Sequence, residues 1–395
     1  VTGQPHDGDH ELPSTFSSPP PPVRARSRVR RRVLWGLLGG VLIVAGCAAV
    51  HILANLQYDD ALDAFEDAEV IAEEQRDELA VAADELAADA DAANTVVASD
   101  SGTLMAADVR AELDESLAAV QPVTDEVAAA SAERFPDPGS KPTWPWELFA
   151  ERARLDEETA TLEGRADDFA SVNQDVTAAS ASVEESALAA VRAAADAAPD
   201  LEAAHVNARN PEIVALRRAA EHAAGVERLD DEAAARYTLL ESAAADLLES
   251  EAAELAEKAG PLNGARVEIE AFARSLAPGV LLDFDWAPTV PGYDGPSYGG
   301  WTTWWYGDPG YSTIALSDYI AESWPAEWAK ALVAHEVGHA ISVKCEALYD
   351  SSDQDTIEAW ATAWAISMGF TDRANGTDVY GAPSQAMIDA AAGCR

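Results

Sequence analysis

The order of apolar and charged positions divides the chain into four stretches. Residues 1–22 show no hydrophobic period and hold a proline run at 19–22, a composition too poor in apolar surface to offset the entropy of ordering. Six arginines follow between Arg24 and Arg32, so residues 1–32 are expected to form a disordered, Pro/Arg-rich tail. From Val33 to Tyr58 there is no Asp, Glu, Lys or Arg. Crossing a bilayer takes about 20 predominantly apolar residues, so residues 33–56 predict a transmembrane helix. Residues 57–260 are rich in Ala, Glu and Asp, which are mostly compatible with helix, and carry narrow apolar stripes such as Leu229, Ala233, Leu240, Ala244 and Leu247. Breaks at 99–102, 135–145, 198–199, 210–211 and 260–264 imply several long helices, packed as hairpins, coiled-coil-like, or extended as a stalk. The apolar spacing is too irregular to assign a heptad register.

After Gly264 the pattern changes. Eight of the eleven Trp and seven of the nine Tyr fall in residues 262–395, which marks a separate compact domain. Its patterning predicts a helix over 266–276, strands over 280–286, 301–306 and 311–316, a turn at 308–310, and helices over 325–343, 356–368 and 384–392. Pro325 suits the first turn of its helix, and Trp328, Leu332, His335, His339 and Val343 share one buried stripe of it. The fold class is therefore mainly α. It comprises an N-terminal transmembrane helix, an acidic helical region and a small α+β domain with a short sheet.

Charge narrows the partners. The net charge of −44 repels phosphates and argues against nucleic acid. Arginines precede the apolar stretch, whereas eight acidic residues follow it before the first basic one, Arg76. The positive-inside rule then places the N-terminus in the cytoplasm and the bulk of the chain outside a cell membrane. A rival reading takes Val44-Ala45-Gly46-Cys47 as a lipobox, with cleavage before Cys47 and a lipid anchor there. Gly36-x-x-x-Gly40, or the helical region, offers a route to self-association. On an oxidising side, Cys345 and Cys394 are expected to form a disulfide that clips the C-terminus to the end of the 325–343 helix.

The candidate chemistry lies in Ala334-His335-Glu336-Val337-Gly338-His339-Ala340. His335 and His339 are four residues apart on one helical face, a spacing that can hold a zinc ion with Glu336 beside it as a base. The motif resembles that of the zincin metallopeptidases. Glu358, nineteen residues after His339 in Thr356-Ile-Glu-Ala-Trp-Ala, resembles the third ligand of the gluzincin branch. The resemblance covers residues 311–368 and implies a metal set of His335, His339 and Glu358, with a substrate lying along a sheet edge. An oxyanion donor is also needed, for which Tyr380 is preferred over Tyr349 and Tyr311. Cys345 stands where metzincins place a third His, and Asp378 sits in a faint echo of the aspzincin motif. Where the gluzincin branch often has an Asp supporting the first His, this chain has Thr362, with Asp355 as a substitute. These features predict a membrane-anchored zinc peptidase that cleaves protein or peptide substrates through a metal-activated water, with Glu336 as general base. The alternatives are a non-enzymatic envelope protein, whose helices bind a partner beside a degenerate zincin domain, and zinc hydrolysis of a non-peptide amide.

Overall fold

A computed structural model describes residues 26–132, 134–292, 295–307 and 310–395, with side chains from residue 34 onward. The expected tail over 1–25, and Asp308 and Pro309 of the expected turn, lie outside the described residues. The described chain is mainly helical. Helix α1 (Arg26–Ser99) is followed by α2 (Ala107–Ala118), α3 (Val120–Ser131), α4 (Pro145–Ala204), α5 (Asn210–Ala224), α6 (Asp231–Glu257) and α7 (Asn263–Leu276). Strands β1 (Leu281–Ala287), β2 (Gly300–Trp305) and β3 (Tyr311–Ser317) come next, then α8 (Asp318–Ser323), α9 (Glu327–Ala340), α10 (Gln354–Ser367), α11 (Thr377–Tyr380) and α12 (Gln385–Ala391).

Several features depart from the expectations. Helix α1 begins at Arg26, so residues 26–32 are helix rather than irregular tail. Pro199 lies inside α4 instead of ending it. The neighbouring Ala194, Ala195 and Ala198 are buried, so packing holds this turn although Pro199 removes one N–H donor. Pro325 precedes α9, whose N-cap is Ala326.

A heptad register is also present. In α1 the buried positions Tyr58, Phe65, Ala72, Leu79, Leu86 and Ala93 recur every seventh residue. In α4 Leu148, Leu155, Leu162, Phe169, Val176, Val183 and Ala190 do the same. Such a seven-residue seam is the pattern of coiled-coil packing.

By internal contacts the chain forms two units, Val1–Gln75 with Arg134–Asp168, and Arg76–Glu133 with Phe169–Arg395. In the first, Ala54, Tyr58, Phe65, Leu148, Leu155 and Leu162 belong to one core. The part of α1 before this core is apolar and exposed, including Leu34, Trp35, Leu42 and Val44. Among the described residues this is the one stretch long and apolar enough to cross a membrane, or to act as a signal sequence.

The second unit holds two cores, one among the helices and one around the sheet. The change of composition at Gly264 is bridged by buried polar contacts. Asn210 at the start of α5 donates its backbone N–H to Asp283 Oδ2 (3.0 Å) and its side-chain amide to Ser312 O (2.8 Å). Lys258 pairs with Glu270 (3.1 Å) and Glu254 (3.6 Å), all three buried, and Trp286 Nε1 donates to Glu270 Oε1 (3.0 Å). The sheet has the order β1-β3-β2, with β1 parallel and β2 antiparallel to β3. Strand β2 is thus an edge, and it lies against α9. Helix α9 also packs on α7, α10 and β3. It is consequently buried all round from Val333 to Ala340, not along one stripe.

Candidate metal centre

The site is built where α9 crosses α10. Gly338 makes the crossing close, since a Cβ there would lie 2.7 Å from Ala361 O and 2.9 Å from Ala361 Cα. Only the absence of a side chain lets the two backbones approach so far. This brings Glu358, one helical turn before Ala361, opposite the His335–His339 face.

The three donor atoms form an equilateral triangle. His335 Nε2 lies 3.2 Å from His339 Nε2, and Glu358 Oε2 lies 3.2 Å from each. Of the described residues, these alone form a group of three or more His, Cys, Asp or Glu whose donor atoms converge closely enough to hold a metal ion, and all three are buried. A 3.2 Å separation is the edge of a tetrahedral shell with bonds of about 2.0 Å, as zinc makes to nitrogen and oxygen. The donor set therefore fits a divalent metal ion.

Neighbouring groups fix each ligand. Thr362 Oγ1 donates to Glu358 O (2.9 Å) and lies 3.4 Å from His335 Nδ1. With its own proton so used, the hydroxyl is left to accept from Nδ1–H, which assigns the tautomer with a free lone pair on Nε2. Thr362 thus fills the role for which Asp355 was considered, and Asp355 is exposed in the first turn of α10. Gln354 Nε2 donates to Glu358 Oε1 (2.9 Å), which leaves Oε2 for the triangle. The ring of His339 stacks on Trp304 with centroids 5.7 Å apart. Its buried Nδ1 has no hydrogen-bond partner among the described residues. In the metal-free site, where the imidazoles can carry protons on their Nε2 atoms instead, burial would raise the Glu358 carboxyl but hydrogen bonds from His335 and His339 hold it well below the usual carboxylate range.

Glu336 points to the other side of the same turn, under β2. Its Oε2 accepts from Thr302 Oγ1 (2.8 Å). A Cβ on Gly300 would lie 2.5 Å from Glu336 Cγ, so the strand rests directly on this carboxyl. Burial pushes the Glu336 carboxyl up to about 7, against the opposing pull of His335 and the Thr302 hydrogen bond. Tyr380 stacks on His335 with centroids 5.9 Å apart. Burial, then the carboxylates of Glu358 and Glu336, push its phenol up, so it stays protonated and able to donate.

Other candidates lie elsewhere. Tyr349 stacks on Trp360 (4.7 Å) and Tyr311 on Trp305 (4.9 Å). Cys345 is joined to Cys394 in a disulfide, which excludes the thiolate-ligand alternative. Asp378 is exposed and paired with Arg373, away from the triangle. The sequence reading missed Thr302, Gln354 and Gly300. Gly376 has φ +100°, and a Cβ there would meet Thr362 Oγ1 at 2.4 Å and His335 at 2.8 Å, so this turn backs the first His closely. The isolated Gly338 inside a helical pattern was a legible sign of close backbone approach.

Comparison with family models, with characterised proteins and with solved structures finds no match.

Proposed function

We propose that the chain is a membrane-anchored zinc peptidase of the gluzincin kind. The observation that carries this reading is the buried triangle of two imidazole nitrogens and one carboxylate oxygen with 3.2 Å sides. Two neutral nitrogens and one oxygen, with a fourth position left open, suit catalytic zinc better than the harder magnesium or calcium ions. When bound, the ion supplies a Lewis acid that polarises the scissile carbonyl and lowers the pKa of a water toward 7.

The remaining work falls to this chain's own groups. Glu336, held by Thr302, takes the proton of the attacking water and delivers it to the leaving amine. A carboxyl that its surroundings raise to about 7 is suited to both transfers at neutral pH. Tyr380, beside His335, donates to the developing oxyanion. The free edge of β2 receives an extended peptide next to the ion. Residues 33–56 anchor the chain, and its arginine-flanked end faces the cytoplasm. The Cys345–Cys394 disulfide suits a catalytic region on the oxidising side.

The test uses the full-length protein in detergent. Metal analysis should give one zinc per chain, Glu358→Ala should lose it, and Glu336→Gln should keep it while abolishing cleavage of a casein-type substrate. Both variants cleaving like the parent would refute the assignment. A parent that holds no metal would favour the non-enzymatic alternative.

A further inference from the structure

A turn in the first unit carries two tryptophans that no core covers. Trp144 and Trp146 are 56% and 64% exposed, and their rings stack with centroids 5.0 Å apart. They flank Pro145, the first residue of α4. The carbonyl of Trp144 accepts the first helical bonds, from Glu147 N and Leu148 N (both 3.0 Å), so the pair is held by regular structure. Together with Thr143 the pair forms one wall of an apolar groove of about 660 Å³, and the other wall is α1 between Ile43 and His51.

The position of the groove along α1 indicates what fills it. Counted from Val33, about 20 residues or 30 Å of helix reach residue 52. The groove therefore runs along the half of the span remote from the arginines. Trp35, 73% exposed, stands at the opposite end. Exposed tryptophans toward both ends of an apolar helix form the aromatic belts of membrane proteins, where an apolar ring body and one polar N–H suit a boundary wet on one side. Further along α1 the surface turns polar, as Lys141 Nζ pairs with Asp59 (2.5 Å) and sits over the Tyr58 ring (5.2 Å).

We propose that residues 143–146 are a second membrane-contacting element. Trp144 and Trp146 enter the boundary between acyl chains and headgroups in the leaflet remote from the arginines, and bilayer lipid fills the groove. The exposed apolar surface of α1 runs unbroken into the groove, and this continuity selects lipid over a protein partner. The proposal rests on α1 crossing the membrane and is independent of any catalytic activity.

The experiment places an environment-sensitive fluorophore at Thr143→Cys in full-length protein carrying Cys47→Ser. The protein is reconstituted without reductant into phosphatidylcholine–phosphatidylglycerol vesicles. The same label at Ala129→Cys, an exposed position on α3, reports on water. The label at 143 should emit to the blue of that at 129, lose most of its emission to lipids bearing a nitroxide near the headgroup end of the chain, and be shielded from iodide. Resistance to alkaline carbonate extraction reads the α1 span separately. Retained protein whose 143 label is as open to iodide as the 129 label overturns the proposal and leaves the span standing, whereas release by carbonate overturns both. A label shielded from iodide and nitroxide lipid alike assigns the turn to a second copy of the chain, and that too overturns it.

Discussion

Single atoms decide the behaviour of Glu336. A methyl group on Gly300 would sit 2.5 Å from its Cγ, so Gly300→Ala must push the carboxyl off its aim while leaving the metal triangle alone. On the proposed reading of Glu336 as general base, a role worth about 10²–10⁴-fold, the variant should lose activity on that scale with its metal content unchanged, as turnover and metal analysis would show. The same carboxyl governs a pH effect in the metal-free protein. Its folded pKa is raised from 4.5 to about 7 by burial, so its contribution to stability is present below about 4.5 and lost as the pH rises through 7. Between pH 5 and pH 8 the metal-free parent should therefore lose up to roughly 3 kcal/mol relative to Glu336→Gln. Denaturant titrations of both proteins at the two pH values would measure the difference.

At the scale of elements, the crossing of α9 and α10 sets the site. Gly338→Ala places a methyl group 2.7 Å from a backbone carbonyl, which cannot rotate out of the way as a side chain would. The gain in helix propensity is about 1 kcal/mol, whereas overpacking costs about 1–3 kcal/mol and parts the ligands as well. The variant should melt earlier and, on the proposed reading, bind zinc more weakly, as calorimetry and a competitive chelator titration would show. The sequence was informative here in proportion to how local each cause was. His335, Glu336 and His339 follow from spacing within one helix, and the three strands from their aromatic and β-branched runs. Thr302 lies in a strand more than thirty residues from the carboxyl it holds, and nothing in a linear pattern pairs them. The heptads of α1 and α4 were hidden for a different reason. Ala fills both seam and surface positions in these helices, so the seventh-residue repeat of Leu, Phe and Val stands out only once burial separates the two kinds of alanine.

At the scale of the whole molecule, composition marked a boundary that packing bridges within the second unit. Lys258 on the loop after α6 and Glu270 on α7 meet in a buried cluster, and Glu270 also accepts from Trp286 on β1. Lys258→Met would remove the cation that Glu254 and Glu270 share, leaving Glu254 with Arg209 and Glu270 with Arg274. The loss should therefore fall below the roughly 3–5 kcal/mol of a buried charge left wholly unpaired, to be read from the shift in the unfolding midpoint of the intact chain. Such a loss should reach the sheet as well as the helices, since the cluster joins the two. One further consequence follows from the close crossing at Gly338. Gly338 brings the two helix backbones into contact, so the spacing of the three donors follows from how α9 and α10 pack. On the proposed reading, an apoprotein in which that packing persists would keep its ligands in place and could be charged with a metal ion without refolding.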